Sequence, residues 1–135
     1  MLDKKVHSFN ILAYFGTNPL NLCPKPIKKL SSYSLDRPKD IKEFELSLDA
    51  DQPPFNWPVT LQSLWWDAKG DWDKAHDFVD QLNTPDASWI HAYLHRKEGD
   101  LWNAGYWYNR AGRPKSSKAL EEEFAEILDH FLLGD

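Results

Sequence analysis

Three histidines near the middle of the sequence are the residues with the clearest potential for chemistry. His91 and His95 are four residues apart, so a helix would place both on the same side. His76 lies on the apolar face of the preceding predicted helix, four residues after Trp72. Neighbouring helices of a hairpin stack face each other, so the three imidazoles could converge, and three histidines with an open position form the ligand set of catalytic zinc sites. One hypothesis is therefore a site for zinc or another divalent metal.

Two other interpretations of the same histidines stay open. The first is a metal-free polar pocket in which His76, His91 and His95 bind or catalyse, and which would respond to pH because histidine titrates near ~6.5. For the metal site, by contrast, the pattern HAYLH lacks the general-base glutamate of the HExxH zinc-protease motif, although Glu98 or Asp77 could replace that glutamate. The second is a structural role, in which the rings pack between helices and hydrogen-bond a carboxylate or a carbonyl. The structural role is the leading interpretation, so no cofactor is expected, and whether the chain is an enzyme stays undecided.

Capping residues divide the chain after residue 58 into five predicted helices. Residues that can cap the first turn of a helix alternate with glycines along this part of the chain. A glycine in the left-handed conformation can end a helix. The predicted N-caps are Thr60, Asp71, Thr84, Asp100 and Ser116 or Ser117, and the predicted ends are Gly70, Gly99 and Gly112. These signals predict helical hairpins at residues 60–82 and 85–111 and a last helix at residues 117–133.

The first part of the sequence is predicted to be irregular, since seven of the nine prolines lie at or before residue 58 and proline is disfavoured in helix interiors. Two short apolar stretches are exceptions. Residues 6–15 could form a helix or a strand, and residues 41–48 have apolar positions that fit either period. The predicted organisation is therefore an irregular Pro-rich segment, residues 1–57, packed on an all-α domain, residues 58–135.

Part of the helical region is an internal repeat. Residues 70–75 (GDWDKA) and 99–104 (GDLWNA) align glycine, aspartate, an apolar residue and alanine at an offset of 29 residues. The apolar stripes before each copy also align, except at Lys97. These residues resemble tetratricopeptide-like repeats, which implies helical hairpins, a concave peptide-binding groove and a last helix that caps the stack. The second half is also similar to a group of uncharacterised microbial proteins with an HAYLHRxEGD…YWYxRAG block, a similarity that implies no activity.

An aromatic and arginine surface is the main candidate binding site. Trp89, Tyr93 and Arg96 recur at helical spacing on the third helix, and the tetratricopeptide resemblance implies that they line the groove. Tyr106 and Arg110 extend this surface on the fourth helix. An arginine beside aromatic rings suits capture of a carboxylate with apolar contacts. We therefore expect an interaction module that binds a peptide or protein, whereas a structural alternative places Tyr93 in the core and pairs Arg96 with a neighbouring acid.

Composition limits the remaining partners and compartments. The net charge is −5, and because residues 1–32 carry +4, the rest of the chain carries −9, which argues against nucleic-acid binding. No stretch approaches the ~20 apolar residues of a membrane-spanning helix. The single cysteine, Cys23, cannot form an internal disulfide, so a cytoplasmic protein is expected. A homodimer formed through the aromatic surface is a further hypothesis.

Overall fold

The computed structural model describes residues 37–133, in which six α-helices form and no β-strand occurs. The helices are α1 (Ile41–Ser47), α2 (Val59–Ala68), α3 (Trp72–Asp80), α4 (Pro85–Glu98), α5 (Leu101–Ala111) and α6 (Leu120–Leu133). The prediction of an all-α fold is confirmed over this range. Predictions that concern residues 6–15, Cys23 and the lysines of residues 1–32 lie outside the described residues. Between residues 37 and 133, no helix has the length and apolar character that crossing a membrane requires.

Three predicted helix starts are confirmed by their hydrogen bonds. Each capping side chain accepts a bond from the backbone N–H three residues further on, which satisfies a donor that the first turn of a helix leaves unpaired. The caps and their N···O distances are Asp71 (3.0 Å), Thr84 (3.1 Å) and Asp100 (3.1 Å). Gly99 and Gly112 end α4 and α5 with φ values of 91° and 69°, a region that glycine adopts without strain. Local signals in the sequence thus position α3, α4 and α5.

The predicted cap of α2 is wrong by two residues. The helix begins at Val59 and Pro58 occupies the cap position without a side-chain hydrogen bond, so Thr60 lies inside the first turn. The Pro58 carbonyl accepts a bond from the Gln62 N–H at 3.0 Å. The Gln62 side chain also donates to the Trp57 carbonyl at 2.8 Å, which fixes the approach to the helix. The restricted φ of proline, here −53°, therefore starts α2 without a threonine cap.

The predicted start of the last helix is also wrong. The helix α6 begins at Leu120 rather than at Ser116 or Ser117. The Ser116 hydroxyl accepts a hydrogen bond at 3.2 Å from the Lys118 N–H, two residues further on. This local serine turn competes with helix formation. Residues 113–119 therefore form a non-helical connection between α5 and α6.

The sequence allows a helix or a strand at residues 41–48, and the structure has a helix, α1. Asp40 caps this helix by accepting a hydrogen bond at 2.8 Å from the N–H three residues further on. Phe44 is fully buried, and its ring centroid lies 6.0 Å from that of Trp57 and 6.3 Å from that of Phe124. A segment that precedes residue 58 is thereby packed on α6.

The central helix of the described fold is α4, which contacts α2, α3, α5 and α6. Ten of its 14 residues are buried, on all sides rather than in one stripe. Trp72 of α3 binds it directly, since the indole Nε1–H donates to the Leu94 carbonyl at 2.8 Å. Because α4 is enclosed, the polar side chains that it carries need partners inside the protein.

One of these partnerships joins α4 to α2. Lys97 Nζ lies 2.8 Å from Asp67 Oδ1, and the two side chains are 4% and 1% exposed. The Tyr93 hydroxyl donates to Oδ2 of the same carboxylate at 3.2 Å. Burial and the Asp67 carboxylate raise the pKa of Tyr93 well above its usual value, so the hydroxyl stays protonated. The structure therefore explains why Lys97 interrupts the apolar stripe, since its charge is neutralised by an aspartate 30 residues earlier.

Replacing the buried lysine tests this ion pair. We expect Lys97→Met to lower the free energy of unfolding by about 3 kcal/mol, because Asp67 would be left buried without a cation. The matched control is Lys42→Met, at an exposed position with no ion pair among residues 37–133, and it should change this free energy by less than ~0.5 kcal/mol. Urea denaturation at pH 7 measures both variants. Equal effects of the two substitutions would contradict the prediction.

Candidate functional site

The three predicted histidines converge at the interface of α3 and α4. One ring nitrogen from each of His76, His91 and His95 lies within 4.8 Å of the other two. His76 Nε2 and His91 Nε2 are 2.8 Å apart, a hydrogen-bond distance, so one proton lies between these rings. The rings of His91 and His95 are nearly parallel, with centroids 5.2 Å apart. The i, i+4 spacing on α4 and the packing of α3 against it thus assemble what we call the histidine cluster, His76, His91 and His95.

Two tryptophans enclose the histidine cluster. The Trp72 ring stacks on His76 with a centroid distance of 4.8 Å, and its hydrogen bond to α4 fixes the ring. Trp107 of α5 stacks on His91 at 3.7 Å with an interplanar angle of 10°. His91 and His95 are buried, whereas His76 is half-buried. The cluster therefore has aromatic walls and reaches solvent beside His76.

Glu98 orients the ring of His95. The distance from His95 Nδ1 to Glu98 Oε2 is 2.7 Å, and both side chains are largely buried. Because a carboxylate only accepts hydrogen bonds, Nδ1 of His95 is the donor, and Nε2 is the ring nitrogen that takes no part in this bond. Metal-binding histidines commonly have such a carboxylate partner, which fixes the tautomer. Glu98 is thus a positioning residue, whereas Asp77, the other substitute base suggested by the sequence, is exposed on α3.

Asp80 is a residue of this site that the sequence analysis missed. It follows His76 by four residues, so α3 places both on the same side, as α4 does with His91 and His95. Asp80 Oδ1 lies 3.9 Å from His91 Nε2, and the aspartate side chain is 57% exposed. The i, i+4 spacing from His76 was the signal that could have identified it. The pair His76 and Asp80 on α3 and the pair His91 and His95 on α4 therefore lie at the same place on the interface of the two helices.

His91 is held in its neutral form. Burial lowers the pKa of His91, and the electrostatic influence of three neighbouring basic groups lowers it further, from 6.5 to about 3 in total. Those neighbours are His76, His95 and Arg110. A neutral imidazole keeps a lone pair, the form that metal ions bind. His91 Nδ1 is buried and has no hydrogen-bond partner within the described range, so stacking on Trp107 holds the ring in place of a second hydrogen bond.

A second group of potential ligands is better explained by helix capping. His95, Glu98 and Asp100 also bring ligand atoms within 4.8 Å of one another. Asp100 is exposed, however, and its carboxylate accepts the Asn103 N–H bond that starts α5. Glu98 already binds the His95 ring. The histidine cluster is therefore the stronger candidate site.

The predicted aromatic surface on α4 is mostly buried. Tyr93 is 0% exposed and Trp89 is 3% exposed, while Arg96 is partly buried. Trp89 Nε1 donates to Glu123 Oε2 at 3.2 Å, and Arg96 Nη1 donates to Oε1 of the same carboxylate at 2.7 Å. The Tyr108 hydroxyl donates to both oxygens of Glu123, and burial together with this carboxylate raises the pKa of Tyr108. These side chains join α4 to its neighbours instead of lining an open groove.

Exposed aromatic side chains lie on α5. Trp102 is 82% exposed and Tyr106 is 47% exposed. Arg110 follows Tyr106 by four residues, and its Nη1 donates to the Tyr106 hydroxyl at 3.2 Å. Spacing of four residues places these side chains along one face of the helix. We call this face, Trp102, Tyr106 and Arg110, the α5 stripe, and it contains the two remaining residues of the predicted binding surface.

In comparisons with known proteins, no family model, no curated protein and no solved structure matches this chain. The resemblance of residues 70–75 and 99–104 to tetratricopeptide-like repeats therefore stays a prediction. The similarity to microbial proteins with the HAYLHRxEGD…YWYxRAG block also stays a prediction. The function of the chain is consequently inferred from the geometry of its own residues.

The lowered pKa of His91 predicts a loss of stability in acid. Unfolded histidine binds a proton below pH 6.5, whereas the folded ring resists protonation until about pH 3. Between these values the unfolded state binds more protons, so the free energy of unfolding of metal-free protein should fall as the pH is lowered. The slope that His91 contributes is up to ~1.4 kcal/mol per pH unit.

Comparison with a variant isolates the part of this dependence that belongs to His91. The charged and titratable groups that face its ring are His76, His95, Arg110 and Asp80. We expect His91→Asn to reduce the slope between pH 6.5 and about 4.5, above the range in which most carboxylates titrate. Urea denaturation of EDTA-treated protein at several pH values measures it. An unchanged slope in the variant would show that His91 is not the responsible group.

Proposed function

We propose that this chain binds one divalent transition-metal ion, with zinc as the expected ion, through His76, His91 and His95. The observation that carries the proposal is the convergence of one ring nitrogen from each histidine within 4.8 Å at the interface of two helices. Imidazole nitrogen is a preferred ligand of zinc, copper and nickel. The carboxylate of Glu98 supports the proposal, because it leaves the lone pair of His95 on the nitrogen that the carboxylate does not bind.

The distance between two of the three ring nitrogens is close to that in a metal site. Two ligands at ~2.0–2.1 Å from a tetrahedral ion lie about 3.3 Å apart. His76 Nε2 and His91 Nε2 are 2.8 Å apart, because a proton lies between them. An ion that replaced this proton would need the two rings to separate by only about half an ångström. These two rings therefore need little reorganisation to hold an ion, and the ring nitrogen of His95 lies within 4.8 Å of both.

A carboxylate, Asp80, lies beside the histidine cluster. Its Oδ1 is 3.9 Å from His91 Nε2 and the side chain is exposed, so with an ion bound Asp80 would either serve as a further ligand or accept a proton from water at the ion. Zinc held by three histidines lowers the pKa of its bound water to about 7. Water in the fourth position would therefore supply a nucleophile for hydrolytic chemistry, whereas a bond from Asp80 would make a closed structural site.

Metal titration of the purified chain tests the proposal. After treatment with EDTA, we expect Zn²⁺ to bind with one-to-one stoichiometry in isothermal titration calorimetry, and Co²⁺ to give the visible absorption of a tetrahedral site. His91→Asn and His76→Asn should each lower the affinity more than ~100-fold, since each removes a ligand. Glu98→Gln should lower it about 10-fold to 100-fold, because it only weakens the orientation of His95.

The matched control is His130→Asn. His130 lies on α6, is 40% exposed and pairs with Asp86 at 3.0 Å, so it is a histidine outside the cluster. Its replacement should leave the stoichiometry and the Zn²⁺ affinity unchanged. Circular dichroism of each variant separates lost binding from lost folding. Equal weakening in His130→Asn and His91→Asn, or the absence of stoichiometric binding by folded wild type, would reject the metal site.

We also propose that α2 to α5 are two tetratricopeptide-like hairpins and that α6 caps them. The repeat supports this arrangement, because Asp71 and Asp100, at the offset of 29 residues, both cap the second helix of a pair. The two helices of each pair pack against each other. Ala75 and Ala104 hold equivalent positions and are both buried, as close approach of two helices requires.

A second candidate function is the binding of a peptide through the α5 stripe. The observation that favours it is the 82% exposure of Trp102, since a large exposed apolar surface commonly marks a partner site. Arg110 adds a positive charge to this stripe on a chain whose net charge is −5. The occupant that fits is a peptide in which an apolar side chain is followed by a carboxylate, because the carboxylate would pair with Arg110.

A peptide library displayed on phage tests this second function. We expect the wild type to enrich peptides that combine apolar and acidic residues, and Trp102→Ala to weaken their binding about tenfold or more. Arg110→Gln should weaken the acidic peptides most at low salt. The matched control is Phe55→Ala, which removes another aromatic side chain that is 84% exposed. If enriched peptides bind wild type and Trp102→Ala equally in fluorescence anisotropy titrations, the α5 stripe is not their site.

A further inference from the structure

A surface pocket of about 240 Å³ lies beside Trp89, between α4, residues 113–118 and the start of α6. One water occupies ~30 Å³ in the liquid, so the pocket has room for a molecule of several non-hydrogen atoms. Its lining includes Arg113, Lys115 and Lys118. No member of the histidine cluster contributes to that lining. The pocket is therefore a separate feature from the proposed metal site.

Two cations of this pocket are not neutralised by the residues that the structure describes. The two carboxylates in the lining each have their own basic partner, and these pairs are Glu123 with Arg96 and Glu126 with Lys118. Arg113 and Lys115 have no ion pair with any residue in the range 37–133. When Arg96 is counted as the partner of Glu123, two positive charges remain at the pocket, on Arg113 and Lys115, although the chain is acidic as a whole. This charge distribution favours a negatively charged ligand.

The guanidinium of Arg113 is fixed against the wall of the pocket. Its Cζ lies 3.4 Å from the centroid of the Trp89 ring, and that ring is held by its hydrogen bond to Glu123. The Arg113 backbone N–H donates to the Tyr108 carbonyl at 3.0 Å, in the turn that ends α5. Stacking occupies the face of a guanidinium and leaves the N–H donors at its edge for a ligand, as in arginine sites for phosphate and carboxylate.

Gly105 allows Lys115 to lie along the surface of α5. A Cβ atom at Gly105 would be 2.8 Å from Lys115 Cε and 3.2 Å from Lys115 Nζ. The ammonium group therefore rests on the helix, in a place that any larger residue at position 105 would occupy. Glycine lowers helix stability relative to alanine. At position 105 this cost leaves room for the end of the Lys115 side chain.

We propose that this pocket binds the phosphate group of a small phosphate monoester, with Arg113 and Lys115 binding the phosphate oxygens. A phosphate monoester carries close to two negative charges at neutral pH, which matches the two cations without ion pairs. Ser117, also in the lining, offers a hydroxyl as a further donor. The remaining volume accommodates a small organic group beside the phosphate. A monocarboxylate would neutralise only one of the two cations and should bind more weakly.

Titration with phenyl phosphate, followed by phosphorus NMR at constant ionic strength, tests the proposal. EDTA-treated protein is used, so that a metal in the histidine cluster does not bind the phosphate. We expect saturable binding that Arg113→Gln weakens about tenfold or more and Lys115→Gln severalfold, because each variant loses a charge-assisted hydrogen bond. Acetate should compete poorly. His91→Asn should bind phenyl phosphate like wild type, which distinguishes this site from the metal site.

The matched control for the loss of charge is Lys42→Gln. Lys42 is an exposed cation on α1 and does not line the pocket, so this variant should keep the affinity of wild type. Equal weakening in Lys42→Gln and Arg113→Gln would overturn the proposal, because it would show a general effect of net charge. The absence of saturable binding of phenyl phosphate by the folded wild type would overturn it as well.

A further variant keeps the test decisive if Arg113→Gln does not fold. Gly105→Ala should be at least as stable as wild type in urea denaturation, because alanine favours the helix and the atom it displaces is the end of a flexible side chain. By displacing Lys115, it should weaken phenyl phosphate binding severalfold without any change in charge. If folded Gly105→Ala and Lys115→Gln both bind phenyl phosphate as wild type does, the phosphate site is overturned.

Discussion

The enclosure of α4 is the constraint on which the rest of the structure depends. This helix contacts four others, and ten of its 14 residues are buried. Its sequence is not uniformly apolar, so folding carries polar side chains into the interior, where an unpaired polar group costs on the order of 1–3 kcal/mol. The pairs of Lys97 with Asp67 and of Arg96 with Glu123 meet this requirement, and they also determine how α2 and α6 lie against α4.

The two candidate sites lie on different sides of α4 because of helical periodicity. His91 and His95 share one side, whereas Trp89 and Arg96 lie about 100–160° further around the helix. On the first side the partners of the histidines are aromatic rings, another imidazole and the carboxylate of Glu98. On the second side the buried carboxylate of Glu123 is paired with Arg96. It therefore does not neutralise the pocket cations Arg113 and Lys115.

The environment of His91 is unfavourable for an ionisable side chain. One of its ring nitrogens is buried without a hydrogen-bond partner in the described part of the chain, and its pKa is lowered to about 3. An apolar residue of similar size would avoid both unfavourable effects. Strongly shifted groups that are also clustered with other titratable side chains tend to occur at functional sites. The sequence predicted the convergence of His91 with two other histidines, but it suggested Glu98 as a base, whereas the structure places Glu98 where it orients His95.

Sequence alone determined the starts of α3, α4 and α5, since caps such as Asp71 act through hydrogen bonds to residues within one helical turn. It also determined that His91 and His95 share a side, because this follows from the period of the helix. Only the tertiary structure decided that α4 is enclosed, that Tyr93 belongs to the core and that Lys97 is buried against an aspartate 30 residues away. Local hydrogen bonds and periodicity act over about four residues, whereas burial depends on contacts with the whole chain, which no local stretch of sequence contains.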